Sequence, residues 1–354
     1  MGVFMVDLLS LDYNELKNYV TSDLGDSAFR AKQIASWLIR GASFDDMTNL
    51  SLSLRQKLKD TSRISLPTIE RKLVSSIDNT VKYLFSYADG NCVESVVMHY
   101  EHGVTICVSS QVGCRMGCKF CASTIGGKVR DLTCGEILGQ VIAAQKDCGE
   151  RITNIVMMGI GEPLDNYENV VKFIKIVSSE NSLNIGQRHI SLSTSGIVDK
   201  IDRLADEDLQ ITLSISLHAY DDETRSSIMP VNNKWNIDTL LRSCKKYFDK
   251  TGRRISFEYT LISGKNDHSD GARRLARLLK KYFPHTPLHV NLIPVNEVKE
   301  NSFKSSGKDA VRRFCDILVS EGINATVRRK LGEDINAACG QLRQSASKNS
   351  SEEV

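Results

Sequence analysis

The sequence of 354 residues lacks the features that define several classes of protein. No apolar run approaches the roughly 20 residues that a membrane-spanning helix needs, and the first residues lack the basic region of a secretory signal. A net charge of +3 is too small to establish a nucleic-acid partner, although paired basic residues along the chain are compatible with one. We therefore expect a cytoplasmic protein that contacts no membrane.

The sequence also lacks the regular cysteines of a disulfide scaffold, because its ten cysteines are sparse and unevenly spaced. Most of those outside one close group, such as Cys148, Cys244 and Cys315 in helical patterns, are expected to be small core hydrophobes. Three stand close together as C-x-x-x-C-x-x-C within GCRMGCKFCAST: Cys114, Cys118 and Cys121. This triple favours a reducing compartment.

The cysteine triple has the spacing for three corners of a cubane iron–sulfur cluster whose fourth iron has no protein ligand. Such an iron can bind a small molecule, and S-adenosylmethionine is the leading candidate because it offers an amino and a carboxylate group. Structural zinc is the alternative. Zinc prefers four ligands, and only Cys107 or Cys134 could complete such a set from nearby sequence.

The hydrophobic patterns divide the chain into four parts. Residues 1–66 have helical periodicity and predict a small helical accessory domain. Residues 67–103 carry strand-like runs broken by Asp-Asn, Asp-Gly and His-Gly pairs, which predict connecting β-hairpins. Residues 104–342 alternate strand and helix, and this α/β alternation implies a parallel sheet with crossover helices, which suits a partial (β/α)6 barrel. Residues 343–354 are polar without periodicity, so we expect a flexible tail.

Polar and special residues follow the strand-like runs of the third part, which are 105–109, 152–158, 188–193, 210–217, 254–261, 288–293 and 323–329. In barrels of this kind, the loops at the carboxyl ends of the strands build the active site. We therefore expect one rim to hold Cys114, Cys118, Cys121, Gly161, Glu162, Ser193, Ser216, His218 and Asn296. Cys339 follows the last run and can reach the same rim.

Several of these residues also have a purely structural interpretation, which the residues alone leave open. Ser193 and Ser195 are equally typical of a helix cap. His218 is as typical of a buried imidazole, and Asn296 of a turn. Cys107 lies in a strand-like run, where it is either a buried hydrophobe or a reactive thiol.

Six separated motifs resemble the signatures of the RlmN/Cfr radical-SAM methyltransferases in order and spacing: CVSSQVGCRMGCKFCAST, MGIGEPL, LSTSG, SLHA, NLIPVN and DINAACGQL. The resemblance covers residues 93–342 and shows no departure at a catalytic position. The helical amino-terminal part is similar to the accessory domain of that family, which implies a role in RNA binding. Pro163, Ser195 and Pro294 favour the RlmN branch, which methylates carbon 2 of adenine, over the Cfr branch, which methylates carbon 8.

The resemblance implies a role for each matching residue. It assigns Cys114, Cys118 and Cys121 to a [4Fe-4S] cluster. Cys339 would carry a methyl group, Cys107 would be a second redox-active cysteine, and Glu94 would be a proton acceptor. The residues that it assigns to S-adenosylmethionine are Gly161, Glu162, Ser193, Ser216, Leu217, His218 and Asn296.

The reaction that the resemblance implies is a ping-pong methylation of RNA. Carbon 2 of adenine is electron-poor and cannot displace a methyl group from a sulfonium. One S-adenosylmethionine would therefore methylate Cys339, and a second, reduced at the cluster, would activate that methyl group for addition to carbon 2. Glu94 would take the proton from carbon 2, and Cys107 would resolve the protein–RNA adduct by attacking Cys339, which leaves a disulfide.

The implied substrates are an adenine in the peptidyl transferase centre of 23S rRNA and the adenine 3′ to the anticodon in tRNA, each of which must leave its stack to be methylated. An external low-potential electron donor such as flavodoxin or ferredoxin is also implied, and we expect a monomer. Three alternatives remain: a Cfr-like carbon-8 methyltransferase, a different radical enzyme that modifies, for example, a protein, and a zinc-stabilised RNA-binding module.

Overall fold

The computed structural model describes residues 5–284, 286–296, 298 and 300–342. Its main element is a ten-stranded sheet, in which a parallel run of seven strands continues into three antiparallel strands. The predicted tail, 343–354, lies outside the described residues. Across the described ranges, no helix combines the length and the apolar character that crossing a bilayer would require.

The amino-terminal part is helical, as predicted, and packs on the core. Its first helix begins at a capping box, in which Asp12 and Glu15 each accept a 2.8 Å hydrogen bond from the backbone N–H of the other. Glu15 also forms a 2.7 Å ion pair with Lys172 of the core. The elements are β1 (Val6–Asp7), α1 (Tyr13–Asn18), α2 (Phe29–Leu38), α3 (Leu52–Thr61) and β2 (Ser62–Arg63), and β1 pairs with β2 in parallel.

The predicted β-hairpins are present and lead into the core. Each strand pairs antiparallel with the next, and the turn-forming pairs of the sequence lie at the connections. The strands are β3 (Thr68–Val74), β4 (Val81–Ser86), β5 (Cys92–Tyr100) and β6 (Gly103–Cys107).

The core alternates strand and crossover helix, which confirms the predicted α/β pattern. The elements after β6 are β7 (Gln111–Gly113), β8 (Lys128–Asp131), α4 (Cys134–Cys148), β9 (Ile152–Met157), α5 (Tyr167–Val177), β10 (Ile190–Thr194), α6 (Val198–Leu204), β11 (Thr212–Ser216), α7 (Asp222–Ile228), α8 (Ile237–Thr251), β12 (Ile255–Leu261), α9 (Ser269–Tyr282), β13 (His289–Pro294), α10 (Lys308–Ser320) and β14 (Asn324–Val327).

The sheet order is β14-β13-β12-β11-β10-β9-β6-β5-β4-β3, and all pairs from β14 to β6 are parallel. Six of these strands correspond to the predicted partial barrel, and β14 extends the parallel run at the edge. Within the core, strands β7 and β8, which form a short hairpin beside the cysteine triple, were not predicted. Helix α7 was not predicted either; its first turn is capped by Asp221, which accepts from the Thr224 N–H at 2.9 Å.

Strand β12 shows how the two faces of the sheet differ. All of its residues are buried. Phe257 and Tyr259 belong to the hydrophobic core, whereas the alternating residues Glu258 and Thr260 are polar and line a cavity on the opposite face. The face of the sheet that borders this cavity therefore carries polar side chains, and the site is built on that face.

Candidate active site

The structure brings most of the predicted site residues together at the carboxyl ends of the parallel strands. A single cavity there, which we call the rim cavity, is lined by ten of them: Cys114, Cys118, Cys121, Gly161, Glu162, Ser193, Ser216, His218, Asn296 and Cys339. Glu94, Cys107 and Leu217 are not among its lining residues.

The loop that carries the cysteine triple is held by its own backbone. The Cys114 N–H donates to the Gly127 carbonyl at 3.0 Å, and the Cys121 N–H donates to the Cys118 carbonyl at 3.1 Å. The Thr124 hydroxyl donates to the carbonyls of Cys118 and Cys121 at 3.2 and 2.9 Å. Because the loop is folded by these bonds, its thiols face the cavity without being needed to hold the loop together.

The three thiols line the rim cavity together, as a cluster site requires. Burial raises the pKa of Cys114 to about 12 and also raises the pKa values of Cys118 and Cys121, so their thiolates require positive charge nearby, which iron supplies. Three thiols at the spacing C-x-x-x-C-x-x-C fit three corners of a cubane cluster, and the residues present therefore suit the predicted group.

Gly161 and Glu162 form one wall of the rim cavity. Gly161 has a φ of +109°, and a Cβ there would lie 2.8 Å from the Gln111 backbone N, so only glycine fits. Glu162 is 3% exposed and accepts hydrogen bonds from the backbone N–H groups of Leu164 at 3.0 Å and Ser195 at 2.7 Å. Burial raises the pKa of its carboxyl. A buried carboxylate with spare lone pairs suits the ammonium group of an amino acid.

Ser193 and Ser216 lie near the carboxyl ends of the adjacent strands β10 and β11 and line the rim cavity. The helix-cap interpretation does not hold for Ser193 or Ser195, because the N-cap of α6 is Ile197. The Ser195 hydroxyl is buried and makes no hydrogen bond of standard geometry with any described residue. An orphaned hydroxyl in the wall of a cavity fits a polar ligand.

His218 is held as a neutral hydrogen-bond donor. It has a φ of +56°, which is uncommon for a residue with a side chain, and its carbonyl accepts from the Asn266 side chain at 2.8 Å. Its Nδ1 accepts from the Thr260 N–H at 2.9 Å, which leaves the hydrogen on Nε2. Burial lowers the pKa of His218 to about 3. Its ring meets Phe120 edge-on, with ring centres 5.1 Å apart, at the wall of the cavity.

The buried Arg225 joins the loops that follow β10 and β11, and sequence reasoning missed it. Its guanidinium donates to the carbonyls of Ser195 at 2.7 Å, Ser216 at 3.0 Å and Leu217 at 3.1 Å, and to the Asn232 side chain at 3.0 Å. Leu217, predicted to contact S-adenosylmethionine, is buried, and its carbonyl is one of these acceptors. No local pattern in the sequence signals these contacts.

Cys107 and Cys339 line a second cavity together. Cys339 also lines the rim cavity, so it borders both. Burial raises the pKa of Cys107 to about 12. Arg328 borders both cavities as well; the proximity of Cys339 raises the pKa of this arginine, and its guanidinium contacts the Met158 sulfur at 3.3 Å. Sequence reasoning missed Arg328 too.

The segment that carries Cys339 is attached to both neighbouring parts of the rim. The Cys339 carbonyl accepts from the Asn296 side chain at 3.0 Å, and the Gly340 carbonyl accepts from the Ala122 N–H at 2.8 Å. Asn296, predicted to bind S-adenosylmethionine, therefore also positions the segment with Cys339.

Further along, the same segment is attached to the β3–β4 turn. Asp334 accepts from the Ser75 hydroxyl at 2.7 Å and from the Ser76 N–H at 2.9 Å, and Asp78 accepts from the Gly332 N–H at 2.9 Å. These bonds link the segment that carries Cys339 to the first hairpin of the sheet.

Glu94 lies on β5 and faces Lys82 of β4, whose Nζ is 3.3 Å from the Glu94 carboxylate. The two side chains are 14% and 11% exposed. Glu94 therefore lies on the hairpin side of the site and outside the rim cavity.

A disulfide between Cys107 and Cys339 is not present. All ten cysteines are free thiols in this structure. The structure therefore does not support the predicted disulfide.

Two family models match the chain. The model of the radical SAM superfamily matches residues 108–279, and the model of the ribosomal RNA large subunit methyltransferase N-terminal domain matches residues 6–64. The first match contains the cysteine triple and most of the rim, and the second coincides with the helical part.

Curated relatives match over nearly the full length. The probable dual-specificity RNA methyltransferase RlmN of Clostridium botulinum is 55% identical over 342 residues, 96% of this chain and 97% of that protein. The protein of the same name from Clostridium acetobutylicum is 55% identical over 336 residues, 94% of this chain and 96% of that protein.

A solved structure confirms the predicted fold. The crystal structure of a radical SAM methyltransferase from Sphaerobacter thermophilus is 42% identical, with a TM-score of 0.91, over 96% of this chain and 99% of that one. This similarity and the two family models place the helical part and the α/β core in one architecture. The chain belongs to the RlmN family of radical SAM methyltransferases.

Proposed function

We propose that this enzyme methylates carbon 2 of an adenine in 23S rRNA, in the peptidyl transferase centre, and of the adenine 3′ to the anticodon in tRNA. Its relatives are named dual-specificity RNA methyltransferases, which supports RNA as the substrate. The single observation that carries the chemistry is the position of Cys339, which borders both the cavity of the cysteine triple and the cavity of Cys107. One thiol can thereby serve two different partners in succession.

Cys114, Cys118 and Cys121 would hold the [4Fe-4S] cluster. When bound, the cluster supplies one electron that splits S-adenosylmethionine and so activates the methyl group on Cys339. Glu162, Ser193, Ser216, His218 and Asn296 would bind S-adenosylmethionine, with Gly161 leaving room for it. The buried carboxylate of Glu162 suits its ammonium, and the Nε2–H of His218 offers a fixed donor.

Cys339 would accept a methyl group from a first molecule of S-adenosylmethionine, so that each turnover uses two. A thiolate is the soft nucleophile that such a displacement needs. Arg328, which borders the same cavities, places a positive charge beside the sulfur. The displacement leaves Cys339 as a neutral thioether.

Glu94 and Cys107 would complete the reaction after the methyl carbon has joined carbon 2. Glu94 would take the proton of carbon 2, and the electron supplied at the cluster would return there, which leaves a closed-shell thioether between Cys339 and the RNA. The Cys107 sulfur then attacks the Cys339 sulfur; the bond from that sulfur to the methylene carbon breaks, the carbon takes up a proton to become the methyl group, and the two sulfurs form a disulfide. An external reductant must restore the thiols seen in this structure.

The remaining parts of the proposal concern the partners. Residues 1–66 would help to bind RNA, and the hairpins of 67–103 would connect them to the catalytic core of 104–342. The adenine would flip out of its stack to reach the rim. A flavodoxin or ferredoxin would deliver the electron to a monomeric, cytoplasmic enzyme. These assignments rest on family resemblance.

The division of labour between the two cysteines is directly testable. Purified Cys339→Ala should form no methylated RNA and no adduct, whereas Cys107→Ala should accumulate a covalent protein–RNA adduct on a denaturing gel. Equal release of methylated RNA by both variants would refute the proposal. Mass spectrometry of digested RNA from the wild-type reaction separates carbon 2 from carbon 8, and methylation at carbon 8 would show the Cfr-like activity instead.

A further inference from the structure

Lys82 contacts two parts of the site that the proposed mechanism uses together. Its Nζ lies 3.3 Å from the carboxylate of Glu94 and donates to the carbonyl of Asn336 at 3.2 Å. Asn336 precedes Cys339 by three residues. One ammonium group thus bridges the proposed proton acceptor and the segment that carries the proposed methyl carrier.

The sheet register places Lys82 on the face that carries the reactive groups. Lys82 of β4 is directly opposite Val96 of β5, and Val96 is opposite Cys107 of β6. Directly opposed residues of antiparallel strands point to the same face, as do residues two apart on one strand. Lys82, Glu94, Val96 and Cys107 therefore share one face, and Val96 and Cys107 line the cavity that Cys339 borders.

The ion pair of Lys82 and Glu94 is largely buried, which strengthens the interaction between the two side chains. The side chains of Lys82 and Glu94 are 11% and 14% exposed, so water screens their interaction weakly. Removing the ammonium therefore takes away a contact that fixes the position of the Glu94 carboxylate.

We propose that Lys82 is a positioning residue for the proton transfer, because its ammonium, anchored on the Asn336 carbonyl, holds the Glu94 carboxylate beside the segment of Cys339. This inference rests on the proposed function, in which Glu94 accepts the carbon 2 proton. The residue needs no contact with RNA, and its effect should be confined to the step after the protein–RNA adduct has formed.

Loss of Lys82 should leave the segment of Cys339 in place. The contacts of Asp334 with Ser75 and Ser76, and the bond from the Ala122 N–H to the Gly340 carbonyl, do not involve the lysine. Methylation of the Cys339 thiol in the absence of RNA is therefore expected to survive its replacement, which separates a role in proton transfer from a role in folding.

The experiment compares Lys82→Met and Lys82→Gln with Glu94→Gln, all in the full-length, cluster-containing protein. Glutamine can still donate to the Asn336 carbonyl but lacks the charge. Lys72→Met is the matched control: Lys72 lies on the adjacent strand β3, opposite Tyr83, on the other face of the sheet, and pairs with Asp147 at 2.6 Å. Turnover of an unmodified 23S rRNA fragment and the accumulation of adduct are measured for each.

Both Lys82 variants should lose about tenfold or more in turnover and accumulate adduct as Glu94→Gln does. Alkylation of the Cys339 thiol by iodoacetamide in RNA-free protein, followed by peptide mass spectrometry, should stay within about twofold of wild type, because only the later step is affected. Lys72→Met should behave as wild type in every assay.

Wild-type turnover by the Lys82 variants would overturn the inference. A changed alkylation rate at Cys339, or the loss of its methylation, would also overturn it, because the lysine would then act through the position of the segment. Failure of the proposed function is distinguishable: Glu94→Gln itself would then release methylated RNA normally, whatever the Lys82 variants do.

Discussion

The backbone N–H of Ala122 donates a 2.8 Å hydrogen bond to the carbonyl of Gly340. Ala122 follows Cys121, the last of the cysteine triple, and Gly340 follows Cys339. The loop that would hold the cluster and the thiol that would carry the methyl group are therefore joined by main-chain contact.

The position of Cys339 should depend on Asp334. Asp334→Ala removes the contacts to Ser75 and Ser76, so the segment should open more often and its thiol should react roughly three- to tenfold faster with iodoacetamide. Peptide mass spectrometry measures the rate at each cysteine. Asp309→Ala, at an exposed position on α10, is the control and should leave the rate at Cys339 unchanged. An unchanged rate in Asp334→Ala would show that the bonds at Ala122 and Asn296 suffice.

Arg225 should govern the binding of S-adenosylmethionine without touching it. Arg225→Met leaves the carbonyls of Ser195 and Ser216 without their donor, which should cost about 3 kcal/mol in the free energy of unfolding and weaken cofactor binding about tenfold. Urea unfolding and equilibrium binding measure the two effects. Arg203→Met, which breaks an exposed pair with Glu168, should change neither appreciably. Wild-type cofactor affinity in Arg225→Met would contradict this role.

The buried His218 should make stability fall in mild acid. The pKa of its imidazole is about 3 in the folded protein and about 6.5 in the unfolded chain. As the pH falls below about 6.5, the unfolded chain therefore binds a proton at this residue while the folded protein does not. Between pH 7.5 and 5.5 this single group should lower the free energy of unfolding by about 1.4 kcal/mol. His218→Asn keeps a residue that tolerates positive φ and should lack this component in urea titrations. Parallel losses in both proteins would disprove it.

Gly161 should not tolerate a side chain. Gly161→Ala would place its Cβ 2.7 Å from the Gln111 side chain at a φ of +109°, and it should destabilise the protein by roughly 2 to 4 kcal/mol and block the rim cavity. Gly90→Ala is the matched control, because Gly90 also has positive φ, at +80°, but nothing within 4 Å of the added carbon. Thermal unfolding of both variants gives the comparison. Equal shifts would mean that backbone conformation, and not the close approach to Gln111, decides the cost.

The rim could be predicted from the sequence because its signals are local. Ser193, Ser216 and Glu162 each lie at or just after a strand-like run, and parallel strands bring their carboxyl ends to one edge whatever the details of packing. The same reasoning places Cys339 near the rim only in general terms. It does not reveal that Cys339 borders two cavities, because this depends on the course of an irregular segment.

The buried cations could not be predicted. Arg225 donates hydrogen bonds to carbonyls that precede it by as many as 30 residues. Lys82 donates to the carbonyl of Asn336, which is 254 residues away in sequence. Arg225 stands in polar sequence and Lys82 in an apolar, strand-like run, and in both settings a basic residue usually faces solvent. Contacts that are created only by the folded chain leave no periodic or spacing signal along it.

The most direct test of the account is an anaerobic reaction with S-adenosylmethionine whose methyl group carries three deuterium atoms, on an unmodified 23S rRNA fragment. If the methyl group passes through Cys339 and loses one hydrogen there, the methyladenine of the product should retain two deuterium atoms. A product that keeps all three would mean that the methyl group was transferred intact, and the role assigned here to Cys339 would be wrong.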